Sequence, residues 1–237
     1  MLLPNYSIGS HFRSIEAALS FEFSYAFEPV FISRPNQYLP VIFSSEEGKI
    51  NPSIWGIRSN KSETMLLLWV RMEGIIKNMH TRVLIRNNRC LVPANGFFIR
   101  SGTSTYFIYY PGEKVVTFGA VWQMHKDRET GKMSTTFSMI SCPAQERIAH
   151  LTSRMPLLIL PSSRRKFLKK EIPLMDITRI LKKDNKLEVN GFPIDPELFC
   201  KKNVTKNDFI ASGDKLYKKK VFPEKAILGS YYYYYQS

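Results

Sequence analysis

The stretch from Asn87 to Arg100, NNRCLVPANGFFIR, joins two apolar runs through the turn Pro93-Ala94-Asn95-Gly96. Such a turn between buried segments is a common way to hold a reactive side chain at the edge of a site, because the flanking scaffold is rigid. The position where that side chain would stand is Ile99, which has no proton to give or take at any pH. Other reactive types are sparse. Cys90, Cys142 and Cys200 are odd in number and widely spaced, with no Cys-x-x-Cys pair and no histidine at ligand spacing. Neither a disulfide scaffold nor structural zinc is expected from that pattern, and no metal or cofactor is implied. Cys90, inside an apolar run, reads as a core residue. His150, between Ala149 and Leu151, reads as a surface or capping histidine, and Glu73 as an ion-pair partner, with Arg71 the nearest candidate.

The elements that must position these residues follow from hydrophobic period and turn chemistry. Ile15, Ala18 and Leu19 at helical spacing predict a helix near 13–21 with Ser14 as cap. Apolar runs between turn residues predict strands near 38–44 and 51–57 joined by a turn at Glu46-Glu47-Gly48-Lys49, then a strand over Leu66–Arg71. A short helix carrying Ile75, Ile76, Met79 and Val83 comes next. From 88 to 142 the pattern is β-branched and aromatic throughout, as in an antiparallel meander. RMPLLILP predicts one more buried strand, SSRRKFLKK a helix capped by Ser162 or Ser163, PLMDITRILKK a further helix, and the remainder a loop-rich end.

Length and charge bound the rest. The chain has 237 residues, 44% of them hydrophobic and 13% aromatic, enough for a sizeable core and too apolar for disorder. No run approaches the roughly 18–20 apolar residues of a membrane span, and the first residues lack a basic stretch followed by an apolar core, so a cytoplasmic protein with no membrane contact is expected. The formal net charge is +14, and residues 161–225 carry 17 Lys and Arg against 9 acids. A polyanion is the leading partner for such a charge, since Lys and Arg release the counterions condensed on nucleic-acid phosphates. Taken singly, RRKFLKK and KLYKKK read as solvated faces. Residues 1–225 are expected to form one domain and 226–237, with the uncharged SYYYYYQS, a flexible tail.

Five pieces in order resemble the SOS-response-associated peptidase (SRAP) family, whose members act on abasic sites in single-stranded DNA. They are LPVIF…WGI over Leu39–Ile57, VRMEGI over Val70–Ile75, RCLVPANGFF, FGAVW over Phe118–Trp122, and TFSMISCPA with SRMPLLIL. The resemblance implies an α+β fold built on a strongly curved antiparallel sheet or open barrel with short flanking helices. It also implies a mechanism. An N-terminal cysteine, freed by loss of Met1, forms a Schiff base and then a thiazolidine with the opened deoxyribose, helped by an asparagine, a glutamate and a histidine. Here those positions hold Leu2, Trp69, Ile99 and Thr152. Cys142 stands where the family has a phosphate-contacting threonine. Arg71, Arg82 and Arg154 match family arginines that the resemblance places on the phosphates flanking the abasic sugar, and Arg89 is a further phosphate candidate.

The expectation is a divergent member that binds single-stranded or abasic DNA in the DNA-damage response without the covalent trap. Two other readings stay open. One is an active abasic-site lyase with relocated groups (the Met1 amine, His150, Glu73); the other is a non-enzymatic module for an acidic protein partner.

Overall fold

A computed structural model describes residues 2–44, 48–59, 62–127, 130–182 and 187–218, with side chains throughout except at 2–4, 59, 62–64 and 213–218. Met1, Glu46, Glu47, the last two lysines of KLYKKK (Lys219 and Lys220) and the 226–237 tail lie outside the described residues. Six strands and a helix form the first third: β1 (Leu2–Ser7), α1 (Phe12–Leu19), β2 (Glu22–Phe23), β3 (Tyr38–Phe43), β4 (Lys49–Trp55), β5 (Ile57–Ser59) and β6 (Ser62–Leu67). Then come β7 (Trp69–Arg71), α2 (Met79–Asn87), β8 (Arg89–Ala94), β9 (Gly96–Ser101), β10 (Ser104–Tyr109), β11 (Val116–Lys126) and β12 (Met133–Pro143). The chain continues through α3 (Glu146–Ala149), β13 (Arg154–Pro156), α4 (Pro161–Leu168), α5 (Leu174–Leu181), β14 (Asn190–Ile194), a 3-10 turn (Pro196–Cys200) and α6 (Lys206–Lys218).

The expected curved sheet or barrel with flanking helices is present, and five of its strands close into a ring. Strands β12, β11, β8, β3 and β4 pair in that order, and β4 returns to β12 through the parallel pairs Thr136↔Ile54 and Phe137↔Trp55. Closure removes the unpaired edges that a five-strand sheet would otherwise present. Its interior is dry: every residue of β8 is buried, and Trp55, fully buried, lies flat 6.4 Å from Phe137 and edge-on 5.1 Å from Tyr6.

A second sheet, β1-β9-β10-β14, packs beside the barrel. Side chains alternate across a strand, so in β9 Phe97 and Ile99 enter the barrel-side core while Phe98 enters a second cluster with Phe107, Phe192 and Phe209 of α6. Gly96 opens β9 because a Cβ there would lie 2.2 Å from the Ile108 carbonyl oxygen of β10.

Several local expectations change. His11, not Ser14, caps α1, accepting from the Arg13 amide. α4 starts on Pro161 after Leu160, so Ser162 and Ser163 lie inside the helix; proline needs no partner at a first-turn position, which makes a serine cap unnecessary. The Leu66–Arg71 strand breaks at Leu68, and Ile75 and Ile76 sit in turns ahead of α2, which Asn78 caps. Only Arg154–Pro156 of RMPLLILP is strand. The end expected to be loop-rich carries β14, the 3-10 turn and α6. No helix among the described residues is long and apolar enough to cross a membrane.

Candidate nucleic-acid interface

The first strand brings residue 2 to the position of interest. β1 runs antiparallel to β9, and Leu2 is the Cα partner of Ile99. Residues 2 and 99, two of the positions singled out by the resemblance, are therefore cross-strand neighbours, although the Leu2 side chain lies outside the described atoms. Ile99 itself has 0% exposure and belongs to the main core. β7 runs parallel to β12 and sets Trp69 opposite Met139; its ring is half-buried, edge-on to Trp55 at 5.9 Å, and its Nε1–H finds no acceptor among the described residues. Thr152 is buried. Its hydroxyl accepts from the Arg154 amide at 3.2 Å and donates to the Arg154 carbonyl at 3.0 Å, closing a local turn. His150 is exposed as the residue that ends α3.

Two of the thiols, Cys90 and Cys142, are poor nucleophiles. Burial pushes Cys90 well above the ordinary range and Cys142 up to about 11, so both are protonated at neutral pH.

The polar part of the rim is built by the end of β12. Arg71 of β7 pairs with Ser141, and β13 pairs Arg154 with Pro143. The Arg154 guanidinium takes both oxygens of Glu73, at 2.5 and 3.1 Å, and also donates to the Ser141 carbonyl at 2.6 Å and hydroxyl at 3.0 Å. Glu73 thus is an ion-pair partner, but of Arg154 rather than Arg71, because the β12–β13 register sets Arg154 opposite Pro143, from where its guanidinium reaches Ser141 and Glu73. The Arg154 hydrogen bonds hold the Glu73 carboxyl below the usual carboxylate range, with the Arg71 charge adding to them. The side chains of Arg71 and Arg82 are exposed and make no hydrogen bond among the described residues.

Arg89 does not face phosphate. It is 0% exposed, and its five N–H groups meet five backbone carbonyls. Nε donates to Phe167, Nη1 to Ile85 and Arg86, and Nη2 to Lys169 and Lys170. Burial pushes its pKa down to about 10, which still leaves it charged at neutral pH. A guanidinium can be buried without a carboxylate here because the C-termini of α2 and α4, the negative ends of their dipoles, converge on it. The sequence offered one clue, an arginine heading an otherwise apolar strand. Ser141 was not anticipated, since nothing local marks a serine inside TFSMISCPA as an arginine acceptor. Among the described residues no cluster of His, Cys, Asp and Glu is arranged to hold a metal ion.

The fold and rim define a class: a small closed α+β barrel whose N-terminal strand runs beside the turn-strand unit at 93–99. The family model described as SOS response associated peptidase (SRAP) matches residues 6–199, and the chain belongs to that family. Solved structures share the fold at low identity. A protein from Bacteroides thetaiotaomicron is 19% identical with a TM-score of 0.75, covering 84% of this chain and 95% of its own. One from Bordetella bronchiseptica is 11% identical at 0.70, covering 81% and 99%. A phage-related protein of the same organism is 14% identical at 0.68, covering 82% and 95%. Among curated proteins, none matches the chain.

Proposed function

We propose that this SRAP protein holds single-stranded or abasic-site DNA without the covalent chemistry that the resemblance implies, and acts in the DNA-damage response by binding. The observation that carries the reading is the complete burial of Ile99 across from residue 2. A wall there that can neither protonate the sugar ring oxygen nor take a proton from an attacking amine cannot support ring opening. Trp69 and the self-satisfied Thr152 hydroxyl supply no replacement. The DNA side is supported by the net charge of +14 and by exposed Arg71 next to the Glu73–Arg154 pair.

The experiment has two readouts on one abasic single-stranded oligonucleotide. Anisotropy should show binding whose affinity falls steeply with salt, at about 0.7 logarithmic units per decade for each phosphate contacted. A denaturing gel of the same mixture should show no heat-stable adduct. A stable adduct would overturn the loss of chemistry; absence of binding at low salt would overturn the DNA reading and favour an acidic protein partner.

A further inference from the structure

Away from the rim, the two helix ends gathered by Arg89 carry a second set of cations. The carbonyls of Arg86 and Lys169 share one guanidinium, so these backbones lie no further apart than two hydrogen bonds and the width of that group, about 8 Å. The side chains of Arg86, Lys169 and Lys170 are exposed, and none has a hydrogen-bond or ion-pair partner among the described residues. Elsewhere on α4 and α5, Asp176 holds Lys166 at 3.3 Å and Arg179 at 2.8 Å, while Arg165 is exposed with no acidic partner among the described residues. At the converging ends the acid nearest in sequence is Glu171, which is exposed and unpaired.

Basic residues at helix C-termini usually have an internal explanation, since they complement the dipole and the last carbonyls. Arg89 already does both for α2 and α4. The three exposed cations are therefore surplus to the fold, held together by a buried one that fixes their spacing. α2 links them to the rim: it begins just after the Glu73 segment, runs for 9 residues or about 13 Å, and displays Arg82 one turn before Arg86.

We propose that Arg86, Lys169 and Lys170 form a second phosphate-binding surface, on which a single strand leaving the rim continues past Arg82 along α2. The inference rests on the nucleic-acid reading above and extends its footprint. A strand confined to the rim needs only a few nucleotides; one that reaches the far end of α2 needs more.

The test compares oligonucleotides of about 6 and about 20 nucleotides on the full chain. In the triple variant Arg86→Gln, Lys169→Gln, Lys170→Gln, affinity for the long strand should fall at least about tenfold at low salt, and its salt slope should lose about 2 units; the short strand should bind as before. The charge-keeping variant Arg86→Lys, Lys169→Arg, Lys170→Arg should retain long-strand binding, which separates lost charge from damaged fold. Long-strand affinity and salt slope equal to wild type in the glutamine variant would overturn the surface while leaving the rim reading intact. If the unmodified chain binds neither oligonucleotide, both readings fall together.

Discussion

Arg154 can serve a phosphate only to the extent that Glu73 releases it, since that carboxylate fills the place of a bidentate anion. Glu73 is about half exposed and the pair is worth little to stability, about 0.2–1 kcal/mol, so Glu73→Gln should leave the melting temperature nearly unchanged. The same substitution should tighten oligonucleotide binding about two- to fivefold, measured by anisotropy, because the freed guanidinium no longer exchanges one anion for another. The pH sign follows from the lowered Glu73 pKa. What the pair adds to stability is present above the ordinary carboxylate pKa and is lost as pH falls through the lower folded value, so the affinity gap between wild type and Glu73→Gln should close in that acid window. At the other end of the rim, Ile99→Glu should restore no heat-stable DNA adduct, since Leu2 supplies no thiol. It should also lower the melting temperature by several degrees, because the new carboxyl is buried among apolar groups without a built partner.

Two short elements depend on single residues for reasons of backbone geometry. Arg89→Lys keeps the charge but offers three donors to five carbonyls, leaving at least two of them unpaired in a dry place; a loss of about 3 kcal/mol is expected in urea unfolding, with Arg89→Met costing as much or more. A surface arginine changed to lysine would move that midpoint by a few tenths at most. Gly96→Ala tests the start of β9 in the same assay. Its Cβ would meet the Ile108 carbonyl and the Phe107 ring at 2.2 and 2.5 Å, so β9 and β10 must separate or the chain must unfold.

At the level of the whole molecule, the family match ends at residue 199 but the core does not. Phe209 of α6 is fully buried, edge-on to Phe107 at 5.1 Å and close to Phe98 and Phe192. Phe98 is adjacent in β9 to Ile99, so α6 supports from behind the strand whose other face carries Phe97 and Ile99 into the main core. Phe209→Ala should cost about 3–5 kcal/mol, read as a fall in the thermal midpoint with an unchanged salt slope for DNA binding.

Hydrophobic alternation and turn residues made the strand-rich 88–142 region, α1 and α5 legible, because those signals are local. The resemblance, motif by motif, sets Trp69, Ile99 and Thr152 on the positions where reactive residues are expected, and the chemistry of an isoleucine needs no fold to be known. Pairing between distant segments was not legible. The sequence contains no mark that β4 returns parallel to β12 and closes the barrel, that Arg154 reaches Ser141 and Glu73, or that Arg89 is swallowed by two helix ends. An arginine's side chain is long and its donors satisfy phosphate, carboxylate or carbonyl equally well in geometry. Composition can therefore count the cations, but only the register of the strands and the convergence of helices decide which of them remain free for a partner.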